Sequence, residues 1–168
     1  MSFSLIRFNL IDPSLNPETL SSRYKAMLEM AEFADKNGFF MATFEEHHGA
    51  DNAWSPTPLI NAATVLARTT NLSASISALL LPLHDPIRVA EDIAVIDLMS
   101  GGRLNVIFGL GYRPSEYQLM GKSWEKRGQL MDESLQTLLN AWTGEPFEYK
   151  GATHCINPTP LTKPHPFI

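Results

Sequence analysis

Residues 39–49 read FFMATFEEHHG: a short apolar run suited to a buried strand, followed at once by two carboxylates, two histidines and a glycine. Three further runs share that grammar: FSLIRFNLI from Phe3, LSASISALLL from Leu72 and LNVIFGL from Leu104. Their starts, taken with Phe39, lie 36, 33 and 32 residues apart. That is the spacing of successive strand–helix units, in which each parallel strand needs a crossover of a dozen or more residues. No sequence self-similarity accompanies the period, so it marks a fold repeat rather than a solenoid.

The segments between the runs carry helix punctuation. Asn16-Pro17 supplies a cap followed by proline at the first helical position, where a missing N–H costs nothing. Leu20, Tyr24, Met27, Leu28, Ala31 and Ala34 then mark one face, and Asn37-Gly38 stops the helix. Ser55-Pro56 or Thr57-Pro58 opens a second helix, with Ile60, Ala63, Leu66 and Ala67 expected to face inward. Asp85-Pro86 opens a third, with Val89, Ala90, Ile93 and Ala94 inward and Gly101-Gly102 at its end. Ser123 is the expected cap of a fourth, whose apolar face is Leu130, Met131, Leu135, Leu138, Leu139 and Trp142, stopped by Gly144. Beyond Gly144, alternation around Gly151 predicts a hairpin, and four prolines from Pro158 to Pro166 exclude a helix or central strand.

The bulk composition narrows the function classes. A formal net charge of −5 leaves no basic surplus to neutralise phosphates, which argues against nucleic acid as a partner. Cys155, the single cysteine, cannot form an intramolecular disulfide and suits a reducing compartment. The N-terminal MSFSLIRFNLID lacks the charged and apolar regions of a signal peptide, and Ile76–Leu83 is too short to span a bilayer. The expectation is a cytoplasmic protein with no membrane partner.

In strand–helix architectures functional groups gather at the C-terminal ends of the strands. Those ends are Asn9 to Pro13, Glu45 to Gly49, Ser77-Ala78 running on to Pro82 and His84, and Gly109 to Arg113. In extended chain Glu45 and His47 point one way and Glu46 and His48 the other. Histidines on opposite sides cannot share one ion, so no metal is expected. A histidine at a strand mouth beside carboxylates suits proton transfer near neutral pH, although a histidine merely satisfied by hydrogen bonds is the plainer alternative. Gly109-Leu110-Gly111 would let backbone approach a flat or anionic ligand, and a tight turn explains it equally well. Arg127 could reach an anionic group, with a paired or solvated arginine the commoner case.

As an ordered set the motifs resemble the bacterial luciferase-like family of flavin-dependent monooxygenases. The set comprises Phe44-Glu45-Glu46-His47-His48, Ala78-Leu79-Leu80-Leu81-Pro82 with His84 and Pro86, and Arg88-Val89-Ala90-Glu91-Asp92. It continues through Leu98-Met99-Ser100-Gly101-Gly102-Arg103-Leu104, Gly109-Leu110-Gly111-Tyr112 and the Leu130-Met131-Asp132-Glu133 helix leading to Trp142. The resemblance implies an α/β fold, a partial (β/α)8 TIM barrel of about four units. Residues 1–144 would be the N-terminal half of such a barrel, and 145–168 a hairpin and Pro-rich tail leading toward an absent fifth strand. A complete barrel takes about 250 residues.

The resemblance also implies an oxidoreductase that uses reduced flavin and O2 on a small organic substrate. FMN is the implied cofactor, with coenzyme F420 as the alternative. His47 matches the family's acid/base beside the flavin, and Glu46 is the expected second catalytic group. Ser77 and Ala78 fall at the family's non-proline cis peptide; Leu110, Gly111 and Tyr112 match the loop along the flavin. Leu110 stands where the luciferase subunit itself has arginine, which favours a generic oxidoreductase over luminescence. Half a barrel would lack a phosphate anchor, bind flavin weakly or not at all by itself, and expose edges through which copies of the chain could associate as a homo-oligomer. A non-catalytic flavin- or partner-binding half-barrel and an inactive fragment are the rival expectations.

Overall fold

The computed structural model describes residues 3–168; Met1 and Ser2, the start of the N-terminal segment read above, lie outside them. The chain divides into two compact units, one running up to Leu79 and including Arg103–Ile107, the other comprising Leu80–Gly102 and Phe108–Ile168.

The first unit is built on a sheet of β1 (Leu5–Phe8), β2 (Met41–Phe44), β3 (Ser73–Leu79) and β4 (Leu104–Phe108), in that order across the sheet. β1 pairs parallel with β2 and β2 with β3, so that Phe8 lies opposite Phe44, and Phe44 opposite Ile76. All four strand expectations are met. Alternate residues (Phe8, Ala42, Phe44, Ala74, Ile76, Leu104 and Val106) are buried, and the Phe8 and Phe44 rings stack with centroids 5.8 Å apart. Helix α1 (Pro17–Lys36) and helix α2 (Pro58–Arg68) complete this unit. Asn16 Oδ1 accepts from the Glu18 and Thr19 amides at 2.8 and 3.1 Å, satisfying two of the helix's orphan donors as its sequence predicts.

α2 departs from its expected face. It opens at Thr57-Pro58, but Ile60 is 65% exposed and Ala67 is exposed, while Asn61, Ala62, Val65 and Leu66 are buried. The cause is a polar anchor: Asn61 Nδ2 donates to the buried Ser55 Oγ at 2.7 Å. A buried amide must keep its partner, so the helix presents Asn61 inward and its apolar stripe shifts round by about one position.

The other end of the sheet is fastened by Asp35, near the end of α1. Its carboxylate accepts from the backbone N–H groups of Thr70, Asn71 and Leu72 at 3.0, 2.7 and 2.7 Å, directly before β3. Arg103 completes the junction, donating to Thr69 Oγ1 and to the Leu66 and Leu72 carbonyls.

The second unit holds a short 3-10 turn, Leu81–Leu83, and helix α3 (Pro86–Ser100), helix α4 (Pro114–Leu119) and helix α5 (Arg127–Thr143). A hairpin of β5 (Phe147–Tyr149) and β6 (Ala152–His154) follows. Asp85 caps α3 through the Ile87 and Arg88 amides, and Gly101 ends it at φ +68°. α3 and α5 pack together, with Trp142 Nε1 donating to the Ala90 carbonyl at 3.0 Å. α4 was not expected from the sequence; Pro114 stands at its first position. Ser123 Oγ accepts the Lys126 amide at 3.3 Å, but regular helix begins only at Arg127, so Ser123 caps the turn leading into α5 rather than α5 itself. The predicted hairpin closes on Lys150 and Gly151, both at positive φ, the conformation that two-residue hairpin turns require. Among the described residues no helix is long and apolar enough to cross a membrane.

Candidate functional site

In the first unit the parallel strands share one C-terminal edge, and the segments leaving β1 and β2 meet there. After β2 the chain runs through Glu45–His48, turns, and returns as Trp54-Ser55 before α2. His47 N donates to the Ser55 carbonyl at 3.1 Å, and Ser55 N donates to the Asn9 carbonyl at 3.2 Å, joining the two segments. Asp12 N donates to the Asn52 carbonyl at 2.8 Å and reinforces the junction. Two non-glycine residues there take left-handed backbone, Leu10 at φ +59° and Ala53 at φ +55°. Such conformations persist only where surrounding contacts over-determine them, and they cluster at functional sites.

The side chains beyond β2 keep the alternation of an extended chain. Glu46 and His48 turn to the same side, with His48 Nε2 2.7 Å from Glu46 Oε1; Glu46 is 2% exposed. Glu45 accepts from Trp54 Nε1 at 3.1 Å and forms an ion pair with Arg7 of β1. His47 is 7% exposed, with its ring edge-on to Trp54 at a centroid separation of 4.4 Å and an interplanar angle of 69°. The hydrogen bond from Arg7 to Glu45, with their opposite charges, holds the guanidinium above its ordinary range.

Ser77 and Ala78 lie near the end of β3 in the same unit, joined by a cis peptide bond at the position the resemblance implied. Ser77 is exposed and Ala78 half-buried.

Leu110, Gly111 and Tyr112 belong to the second unit, in the segment after β4. Gly111 has φ +71°, so its backbone calls for glycine, while a Cβ there would stand in ordinary contact with the Leu80 methyls at 3.4 and 3.5 Å. Leu110 and Tyr112 are 40% and 66% exposed. The segment is held from beneath by Tyr117, whose hydroxyl donates to the Leu110 carbonyl at 2.5 Å. Burial raises the Tyr117 phenol, an effect Arg127 opposes and Glu116 reinforces. Arg127 lies over the Trp124 ring at 4.0 Å and donates to the Trp124 carbonyl, so it is a paired arginine.

Sequence reasoning missed Trp54 and Tyr117. The signals were present: an aromatic in the polar segment after the histidine pair, and a Pro-x-x-Tyr run after the glycine loop.

The whole chain, residues 1–168, matches the family model described as luciferase-like monooxygenase. The oxygenase component of the flavin-dependent trigonelline monooxygenase of Acinetobacter baylyi is 28% identical across 100% of this chain and 48% of its own length. The FMNH2-dependent dimethylsulfone monooxygenase of Pseudomonas putida is 30% identical over 83% of this chain and 41% of its own. The crystal structure of the monooxygenase RslO1 from Streptomyces bottropensis superposes with a TM-score of 0.86 at 27% identity, covering 99% of this chain and 52% of RslO1. The chain thus spans about half the length of the relatives it matches.

Proposed function

Because the chain belongs to the luciferase-like monooxygenase family, we propose that it forms part of a flavin-dependent monooxygenase that oxygenates a small organic substrate with O2 and reduced FMN. The observation that carries the proposal is His47: a buried histidine at the C-terminal edge of a parallel sheet, its main-chain N–H donating to the Ser55 carbonyl and its ring edge-on to the Trp54 ring. A group so placed can take up or deliver a proton without reorganising, and positioned acid/base groups contribute about 10²–10⁴-fold in rate.

Bound flavin would supply the oxygenating chemistry, and the protein's own residues would bind, orient and handle protons. His47 is assigned the acid/base role. Glu46, hydrogen-bonded to His48, is assigned as the second proton-transfer group. Ser77 and Ala78, near the end of β3, are assigned flavin contacts; Leu110, Gly111 and Tyr112 are assigned as a flavin-contacting segment. FMN is preferred to F420 because a relative 30% identical over 83% of this chain is FMNH2-dependent.

The test is anaerobic titration of the chain with reduced FMN, with reduced F420 in parallel. Labelled dioxygen is then admitted with a panel of small ketones, aldehydes and sulfones, and the products are read by mass spectrometry. Product carrying the label supports the proposal. FMN binding without labelled product would leave a flavin-binding role in place of a catalytic one, and failure to bind either flavin would leave the inactive-fragment reading.

A further inference from the structure

Trp54 and Glu45 have no part in the acid/base and flavin roles assigned above, yet they connect a strand to the His47 ring. Arg7 lies in register with Thr43 on the neighbouring strand, which brings its guanidinium level with the first residues after β2. It pairs with Glu45 through Oε1, and Glu45 Oε2 accepts from Trp54 Nε1 at 3.1 Å. Both carboxylate oxygens are therefore engaged, one by each neighbour. Trp54 is held at its backbone as well, its N–H donating to Asn52 Oδ1 at 3.3 Å, and its ring meets the His47 ring edge-on at 4.4 Å. Each link is directional: an ion pair, an indole donor that accepts only a narrow range of angles, and an edge-to-face contact of preferred geometry.

We propose that Arg7, Glu45 and Trp54 form a positioning relay that fixes the orientation of the His47 imidazole. The inference rests on the acid/base role given to His47. It adds that Glu45 acts on the orientation of the ring through Trp54. The His47 N to Ser55 O bond fixes the main chain, and a main-chain bond does not by itself select among the several rotamer wells of χ1 and χ2. Trp54 is placed to select among them. Trp54, in turn, stays put only while its N–H has an acceptor, because a half-buried indole donor without one loses the benefit of its site.

The experiment uses the whole chain labelled at histidine, with the His47 ring signals assigned by their loss in H47Q. Wild-type protein should show nuclear Overhauser contacts between the Trp54 and His47 rings. E45A removes the acceptor and carries no ring current of its own, so any movement of the His47 signals reports a change in how the indole sits. The expected result is loss of the ring-to-ring contact and a shift of the His47 ring protons, largely restored in E45Q, whose amide oxygen still accepts from the indole. W54F keeps a six-membered aromatic ring but loses the pyrrole ring with its N–H donor; there the His47 ring signals should shift as they do in E45A, which keeps the relay testable if E45A does not fold. His47 signals and ring contacts at their wild-type values in a folded E45A, or unshifted His47 ring signals in W54F, would overturn the relay. None of these readouts uses flavin, so a failed relay is distinguishable from a failed assignment of His47. Where the oxygenation assay responds, E45A should lower turnover while reduced-FMN affinity holds.

Discussion

The imidazole Nε2 of His48 lies 2.7 Å from Oε1 of Glu46, and that carboxylate is almost completely buried. Two side chains two residues apart have turned to the same side of an extended segment, as the period-two rule requires. The pair removes the cost of a buried, unaccompanied carboxylate, which is large.

Cutting that pair should therefore be expensive. E46A is expected to lower stability by about 1.5–3 kcal/mol, the range for a hydrogen bond to a charged group. E46Q, which keeps an acceptor oxygen, should lose less. Urea unfolding followed by circular dichroism measures both, and an E46A midpoint equal to wild type would refute the expectation.

H47Q probes chemistry rather than folding. Glutamine keeps polar atoms near the Trp54 ring but cannot exchange a proton near neutral pH. Labelled-product formation should fall by about 10²–10⁴-fold while the unfolding curve and reduced-FMN affinity stay near wild type. Undiminished turnover would remove His47 from the acid/base role.

Asp35 predicts a pH dependence of stability. Burial pushes its carboxyl up, but the Thr70, Asn71 and Leu72 amides and the Arg103 guanidinium outweigh that and hold it below the usual carboxylate range. Its folded value is thus lower than its unfolded one. The stabilisation is fully present above the ordinary value near 3.9 and is lost as pH falls through the folded value. D35N should be less stable than wild type at neutral pH, and the gap should close on acidification below about pH 4. A gap that does not vary with pH would contradict the assignment.

Asp97 anchors the Pro-rich tail within the second unit. It is fully buried, and its two oxygens accept from the Thr162 N–H and Oγ1, each at 2.8 Å. Gly102 adjoins them, since a Cβ there would stand 2.9 Å from Thr162 Oγ1. T162A should remove one of the two bonds, and D97A both. Hydrogen exchange at the Thr162 amide should accelerate strongly in D97A and modestly in T162A. Equal exchange in D97A and wild type would show that the tail is held by something else.

Much of this architecture was legible before any coordinates. The four strands, the Asn16 and Asp85 caps, the stop at Gly101 and the Lys150-Gly151 hairpin depend on neighbours within a few residues. Caps, prolines and left-handed glycines state those preferences locally. The alternation of Glu45 to His48 was readable for the same reason. The face of α2 was not, because a partner outside the helix decided it: Ser55 drew Asn61 inward and left Ile60 in solvent. α4 was hidden because six residues carry too little periodicity to stand out from a loop.

The sequence by itself determined the four strands, the four longer helices and the hairpin, and the residue types waiting at the strand ends. Tertiary structure alone decided which of those residues meet. Arg7 reaches Glu45 only because β1 and β2 pair in one register, and Trp54 reaches His47 only because the segment after β2 folds back onto Asn9. Local preferences act over a few bonds along the chain. A contact across tens of residues exists only after the sheet has closed the distance, and no short-range pattern can encode it.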